Sequence, residues 1–186
     1  MYLYTFVNVI MTLVAICAAA YLAFRLFAYK QGDAVFQFKP DKRTPFQLEE
    51  LSFRKAVFVT DIPFRNMGKQ GGTIMDCYPR HLMPCEQFNK CRITSWTTHL
   101  ENERPDGYWE SYIFLPGKGG TVRLRVELES SVGNIRDDLS FFPDMPIDVV
   151  YQAVARSDWY IAKCRVILTT DEVLKALQGG TPEWNA

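Results

Sequence analysis

Thr121-Val122-Arg123-Leu124-Arg125-Val126-Glu127-Leu128-Glu129 alternates apolar and polar residues over its length. A period of two is that of a β-strand, whose successive side chains leave opposite faces. The stretch therefore predicts a strand with Val122, Leu124, Val126 and Leu128 on a core. Arg123, Arg125, Glu127 and Glu129 share the other face, toward water.

Outward from it, the same signature repeats. Tyr108 to Leu115 precedes it across Pro116-Gly117-Lys118-Gly119-Gly120, which reads as the turn of a hairpin. Ala56 to Phe64 and Thr73 to Tyr78 flank Asn66-Met67-Gly68-Lys69-Gln70-Gly71-Gly72 and read as a second hairpin. Ile147 to Ala155 and Trp159 to Leu168 follow. In the latter, Tyr160, Ala162, Cys164, Val166 and Leu168 share one face, and Lys163 and Arg165 the other. Thr169 and Glu172 have capping-box spacing ahead of Val173, Leu174 and Leu177, and Gly179-Gly180 supplies a stop, which predicts a short C-terminal helix over 170–178. About seven strands in about 130 residues suit one two-sheet antiparallel sandwich.

Val57-Phe58-Val59, Phe64-Arg65-Asn66-Met67-Gly68 and Gly72-Thr73-Ile74-Met75-Asp76 resemble the early hairpin of bacterial immunoglobulin-like domains: an apolar strand, an Asn-x-Gly turn, and a return strand with Ile and Asp. The resemblance covers a short part of the chain. It implies an immunoglobulin-like sandwich and brings no active site. The Cys–Trp–Cys arrangement of antibody domains is missing, since Trp96 and Trp109 do not fall between suitable strand cysteines.

The N-terminus reads differently. Leu3 to Phe24 carries no charge over 22 positions. At about 1.5 Å per residue these span about 33 Å, against a hydrocarbon core of about 30 Å. Tyr2, Tyr4, Tyr21, Phe27 and Tyr29 suit the interfacial belts, and Arg25 and Lys30 can reach headgroups. Ala18-Ala19-Ala20 resembles a signal-peptidase site, but no basic region precedes the apolar run, which is also long for a signal peptide. The expected division is a transmembrane anchor at 1–29, a linker at 30–52 punctuated by Gly32, Pro40 and Pro45, a β-sandwich domain at 53–180, and a tail at 181–186. Pro45 to Phe53 offers a short helix or an edge strand. Arg25, Lys30, Lys39, Lys42 and Arg43 all follow the span, which places the domain in the cytoplasm by the positive-inside bias; the alternative is export.

Composition narrows the function. The 186 residues carry 21 basic and 21 acidic side chains, a net charge of zero, which argues against a nucleic-acid partner. A hydrophobic share of 48% with 14% aromatics is too rich for disorder, and five cysteines are too few for a disulfide framework.

Cys77, His81, Cys85 and Cys91 are all zinc-capable side chains within 15 residues, but they lack C-x-x-C knuckles, and Pro79 and Pro84 stiffen the segment. The other reading makes Cys77 a core residue and His81 a solvated one. Exported, the domain would favour a Cys77–Cys91 or Cys85–Cys91 disulfide. A cysteine nucleophile would need His81 or His99 as its base. There is no G-x-S-x-G elbow or metalloprotease pair, and Pro116 to Thr121 lacks the phosphate-loop pattern. Asp137, Asp138, Asp144 and Asp148 read as solvated turn residues, without calcium-loop spacing. No enzyme and no cofactor are expected. Phe141-Phe142-Pro143 sits in a polar loop and either plugs the sandwich or meets a protein partner. The expected role is a single-pass, membrane-anchored protein-binding or scaffolding module. The alternative is a thiol- or zinc-dependent sensor or enzyme built on Cys77 to Cys91.

Overall fold

The computed structural model describes residues 2–104, 106–131, 133–156 and 158–179. It opens with helix α1 (Tyr2–Gln31), thirty residues of which none is buried, long and apolar enough to cross a membrane. Among the described residues nine strands follow: β1 (Phe36–Phe38), β2 (Gln47–Leu51), β3 (Lys55–Asn66), β4 (Gly72–His81), β5 (Cys91–His99), β6 (Tyr112–Phe114), β7 (Gly119–Ser130), β8 (Met145–Val154) and β9 (Tyr160–Leu168). Helix α2 (Ile135–Leu139) precedes β8, and α3 (Thr170–Gly179) follows β9. Strands hold 42% of the described residues, which are mainly β.

Two antiparallel sheets result. One has the order β1-β3-β7-β5, with β2 also paired to β3; the other has the order β6-β4-β8-β9. The alternation in β7 is realised: Val122, Leu124, Val126 and Leu128 are fully buried. They share one core with Ile74, Ile147, Val149, Val166 and Leu168 of the second sheet. Each such side chain removed from water stabilises the fold by roughly 1.5–3 kcal/mol. Val173 and Leu177 of α3, with Ile135 and Leu139 of α2, extend the core. Phe38 stacks between Phe64 (4.9 Å) and Tyr151 (4.3 Å) in the same core.

Neither expected hairpin forms. β3 and β4 lie in different sheets, and so do β6 and β7. Their connections are crossings from one sheet to the other, and Asn66 organises both. Its buried carboxamide accepts from Val35 N (3.1 Å) and Gly68 N (3.0 Å), and donates to the carbonyls of Gln70 (2.8 Å) and Phe114 (3.0 Å). Its main-chain N–H donates to the Lys118 carbonyl (2.7 Å), and its carbonyl accepts from Gly117 N (2.9 Å). Gly117 has φ +72°, and a Cβ on Gly119 would fall 2.0 Å from the Phe64 carbonyl oxygen. A turn rich in Gly and Asn serves a crossing as well as a hairpin, so turn chemistry alone did not separate them. Among the described residues the hairpins are β2–β3, with Leu51 opposite Ala56, and β8–β9, with Val149 opposite Cys164.

The expected linker is corrected as well. Phe36 pairs with Asn66, Gln47 pairs with Val59, and Ala34, Phe36, Phe38 and Phe46 belong to the core. Gly and Pro punctuation had masked two short strands on one edge of β3. Pro45 to Phe53 contains the edge strand β2, one of its two expected forms. The 181–186 tail lies outside the described residues.

The C-terminal end of α1 is tied to the sheets. Arg156 donates to the Ala28 carbonyl and to Gln31 Oε1 (2.8 Å each), and Gln70 Nε2 donates to the Gln31 carbonyl (3.3 Å). A guanidinium on the last carbonyls is a favourable helix end.

Candidate functional site

The four zinc-capable residues occupy three settings. Cys77 faces the core from β4, and its carbonyl accepts from Thr97 Oγ1 of β5 (2.5 Å). Burial drives its thiol far above the ordinary range. Cys91 opens β5 and is buried too, which pushes its thiol up to about 12. Both are held as neutral thiols near pH 7, whereas a metal ligand or nucleophile works as thiolate. Cys85 is exposed in the loop after β4, and His81 is half-buried opposite Ile147. Among the described residues, no three His, Cys, Asp or Glu side chains form a group able to hold a metal. Cys77 and Cys91 sit in strands of different sheets.

His99 ends β5 inside an aromatic box. Its ring stacks on Tyr112 at 4.6 Å and meets Trp109 edge-on at 6.3 Å. Both ring nitrogens are buried without a hydrogen-bond partner, and burial lowers its pKa.

Of the four acidic residues expected in solvated turns, Asp137 and Asp144 are exposed, whereas Asp138 is half-buried and Asp148 is not in a turn. Asp148 stands inside β8, 4% exposed, with Lys163 Nζ (2.6 Å) and the Arg165 guanidinium (2.7 and 3.1 Å) donating to it. The Arg165 and Lys163 hydrogen bonds hold its carboxyl down at about 2. Asp138 accepts from Ser130 Oγ (2.5 Å), and Asp144 accepts from the Thr170 N–H at the start of α3 (2.8 Å). The polar face of β7 is equally committed. Arg123 grips Asp61 (2.8 and 2.9 Å) and Arg125 grips Glu49 (2.7 Å twice), while Glu103 bridges both arginines.

The paired phenylalanines divide. Phe142 is buried against Phe88, rings 5.2 Å apart, and plugs the core, which removes it as a partner contact. Phe141 is 76% exposed, with Lys90 Nζ 5.0 Å from its ring centre. Phe53, 63% exposed, stands at the same end, where its carbonyl accepts from Ile135 N (2.9 Å). Sequence reasoning passed over Phe53. Its one signal is a lone aromatic residue between Ser52 and Arg54 in a turn. The candidate site is therefore this end of the two sheets, with Phe53 and Phe141 outward beside Lys90.

No family model matches the chain, and no curated protein does. Among solved structures it is similar to a candidate ApaA protein from Bordetella pertussis, at 11% identity and a TM-score of 0.41, covering 73% of this chain and 94% of that one. It is also similar to the GAE domain of GGA2p from Saccharomyces cerevisiae, at 8% identity and a TM-score of 0.37, covering 75% and 98%. A FixG-related protein from Vibrio parahaemolyticus gives 10% identity and a TM-score of 0.35, covering 73% and 94%. Scores and identities this low define neither a shared fold family nor a shared function.

Proposed function

We propose that the chain is a single-pass membrane protein whose immunoglobulin-like β-sandwich is a non-enzymatic module that binds or scaffolds another protein at the cytoplasmic membrane surface. The observation that carries this reading is the opposition of the domain's two ends. At one end stands an unburied apolar helix of thirty residues. At the other, Phe53 and Phe141 face solvent. β3 runs between them over twelve residues, about 40 Å at about 3.3 Å each. Exposed aromatic side chains with a cation nearby are the residue types that anchor protein interfaces. The cytoplasmic side is supported by Arg25, Lys30, Lys39, Lys42 and Arg43, all after the span.

The test is crosslinking in intact membranes followed by purification of the full chain from detergent. A discrete partner captured by the parent and lost from both Phe141→Ser and Phe53→Ser is the expected result. Equal capture by parent and variants would overturn the assignment of this end. Sidedness is read at Cys85, the exposed thiol of the domain. A membrane-impermeant maleimide should label it after lysis without reductant, and labelling of intact cells would place the domain outside.

A further inference from the structure

We propose that the α1-proximal end of the domain rests on the bilayer, with Met67, Leu115 and Trp159 seated among the headgroups of an anionic leaflet. The inference rests on α1 spanning the membrane, and it adds a second contact that fixes how the domain stands.

Three apolar tips project from three different connections at this end. Met67 is 56%, Leu115 62% and Trp159 58% exposed. Two of the three connections are bound to the exit of α1, and the third, with Leu115, is bound to the first of them. Met67 N donates to the Val35 carbonyl (2.7 Å) and Lys69 N to that of Asp33 (3.0 Å). The Asn66 carboxamide holds Phe114, next to Leu115, and a Leu115 methyl lies 3.8 Å from where a Cβ on Gly71 would sit. Arg156, three residues before Trp159, is bonded to Ala28 and Gln31.

Depth follows from helix geometry. If Leu3 to Phe24 fill the hydrocarbon, Ala28 lies about 6 Å and Gln31 about 10 Å beyond it at 1.5 Å per residue. The headgroup layer on each side is about 5–8 Å thick. Groups hydrogen-bonded to Ala28 and Gln31 are thus held in that layer or at its outer edge. Trp suits this depth, where its apolar ring can sink while the indole N–H stays wet, and Met and Leu add apolar surface. The charges agree. Arg25, Lys30, Lys69, Lys118 and Arg156 gather around this end, against Asp33 and Asp158, and a polybasic surface is attracted to anionic lipid. Seated so, the domain points Phe53 and Phe141 away from the bilayer.

The experiment uses the full chain in vesicles of phosphatidylcholine with a minority of phosphatidylglycerol. An environment-sensitive dye is placed on Leu115→Cys or on Phe141→Cys, with Cys17→Ala and Cys85→Ser in the background. Carbonate extraction is run on the same samples. The expected result is a carbonate-resistant chain whose dye at 115 emits to the blue and is quenched by a headgroup nitroxide lipid, while the dye at 141 behaves as in water. A water-like dye at 115 on a carbonate-resistant chain overturns the seating and leaves α1 spanning. Blue-shifted emission at both positions means the domain lies on its side, which also overturns it. Release by carbonate removes the spanning reading and this inference together. Without phosphatidylglycerol the quenching at 115 should weaken, and undiminished quenching would overturn the anionic requirement.

Discussion

The Asn66 carboxamide donates to the Phe114 carbonyl across 3.0 Å, joining the last residue of β3 to the last residue of β6 in the opposite sheet. The same side chain satisfies three further main-chain groups. The passages β3→β4 and β6→β7 between the sheets are therefore keyed to one fully buried residue.

Asn66→Ala would leave two N–H groups and two carbonyls without their partner. Each orphaned buried group costs about 1–3 kcal/mol, so the loss should reach about 3 kcal/mol or more. Asn66→Asp keeps the acceptors and removes both donors, so it should also destabilise. Chemical denaturation of parent and variants checks this; an alanine variant within about 1 kcal/mol of the parent would show that water replaces the carboxamide.

A fragment starting at residue 46 omits Ala34, Phe36 and Phe38, all buried in the core. Removing a buried Phe side chain costs about 3–5 kcal/mol, and a whole domain is stable by about 5–15. The 46–186 fragment should therefore fail to fold, whereas 32–186 should give a β-rich far-ultraviolet spectrum with a cooperative melt. Equal melts would mean that β1 is dispensable.

On β7, Leu124→Ala should cost about 2–5 kcal/mol because its site is sealed. Arg125→Ala should cost about 1 kcal/mol, more than a free surface residue, since its guanidinium is bidentate on Glu49 and also meets Glu103. A double-mutant cycle with Glu49→Ala measures that coupling, and a coupling of zero would reduce the pair to a screened surface contact.

His99 gives stability a pH dependence with a definite sign. Burial disfavours the imidazolium, so the folded pKa lies below the unfolded value of about 6.5. The folded state then binds fewer protons. Its advantage is complete above about pH 6.5 and is lost as pH falls through that value toward the folded pKa. Urea midpoints at about pH 7.5 and about pH 5.5 should differ in that direction, and His99→Leu should remove the difference. A slope that persists in the variant would assign it elsewhere. Asp148 acts in a lower window: with its folded pKa at about 2, its contribution disappears between about pH 4 and about pH 2.

Some of this was legible in the residues. The alternation of β7 predicted its buried face residue by residue, and the spacing of Thr169 and Glu172 predicted a capping box, which the structure contains in both directions (3.2 and 3.4 Å). The sheet to which each strand belongs was not legible. Val59 pairs with Arg125, and nothing local distinguishes a turn that returns beside its own strand from one that leaves for the other layer. The same blindness made a linker of β1 and a turn residue of Asp148. At the candidate site, Phe141 and Phe142 are adjacent and chemically identical, and only the packing of α2 and the residues after it assigns one to the core and the other to solvent.

The central place of β3 also sets a schedule for synthesis. β1 and β2 are made before it and cover one edge, but its other edge waits for β7, whose Ser130 follows Lys55 by a stretch that includes β4, β5 and β6. At about 5–20 residues per second, that edge stands open for several seconds on a growing chain. By then α1 has long left the ribosome. On the membrane-spanning reading, the sheet is completed while already tethered, so the domain closes at the bilayer surface instead of arriving there finished.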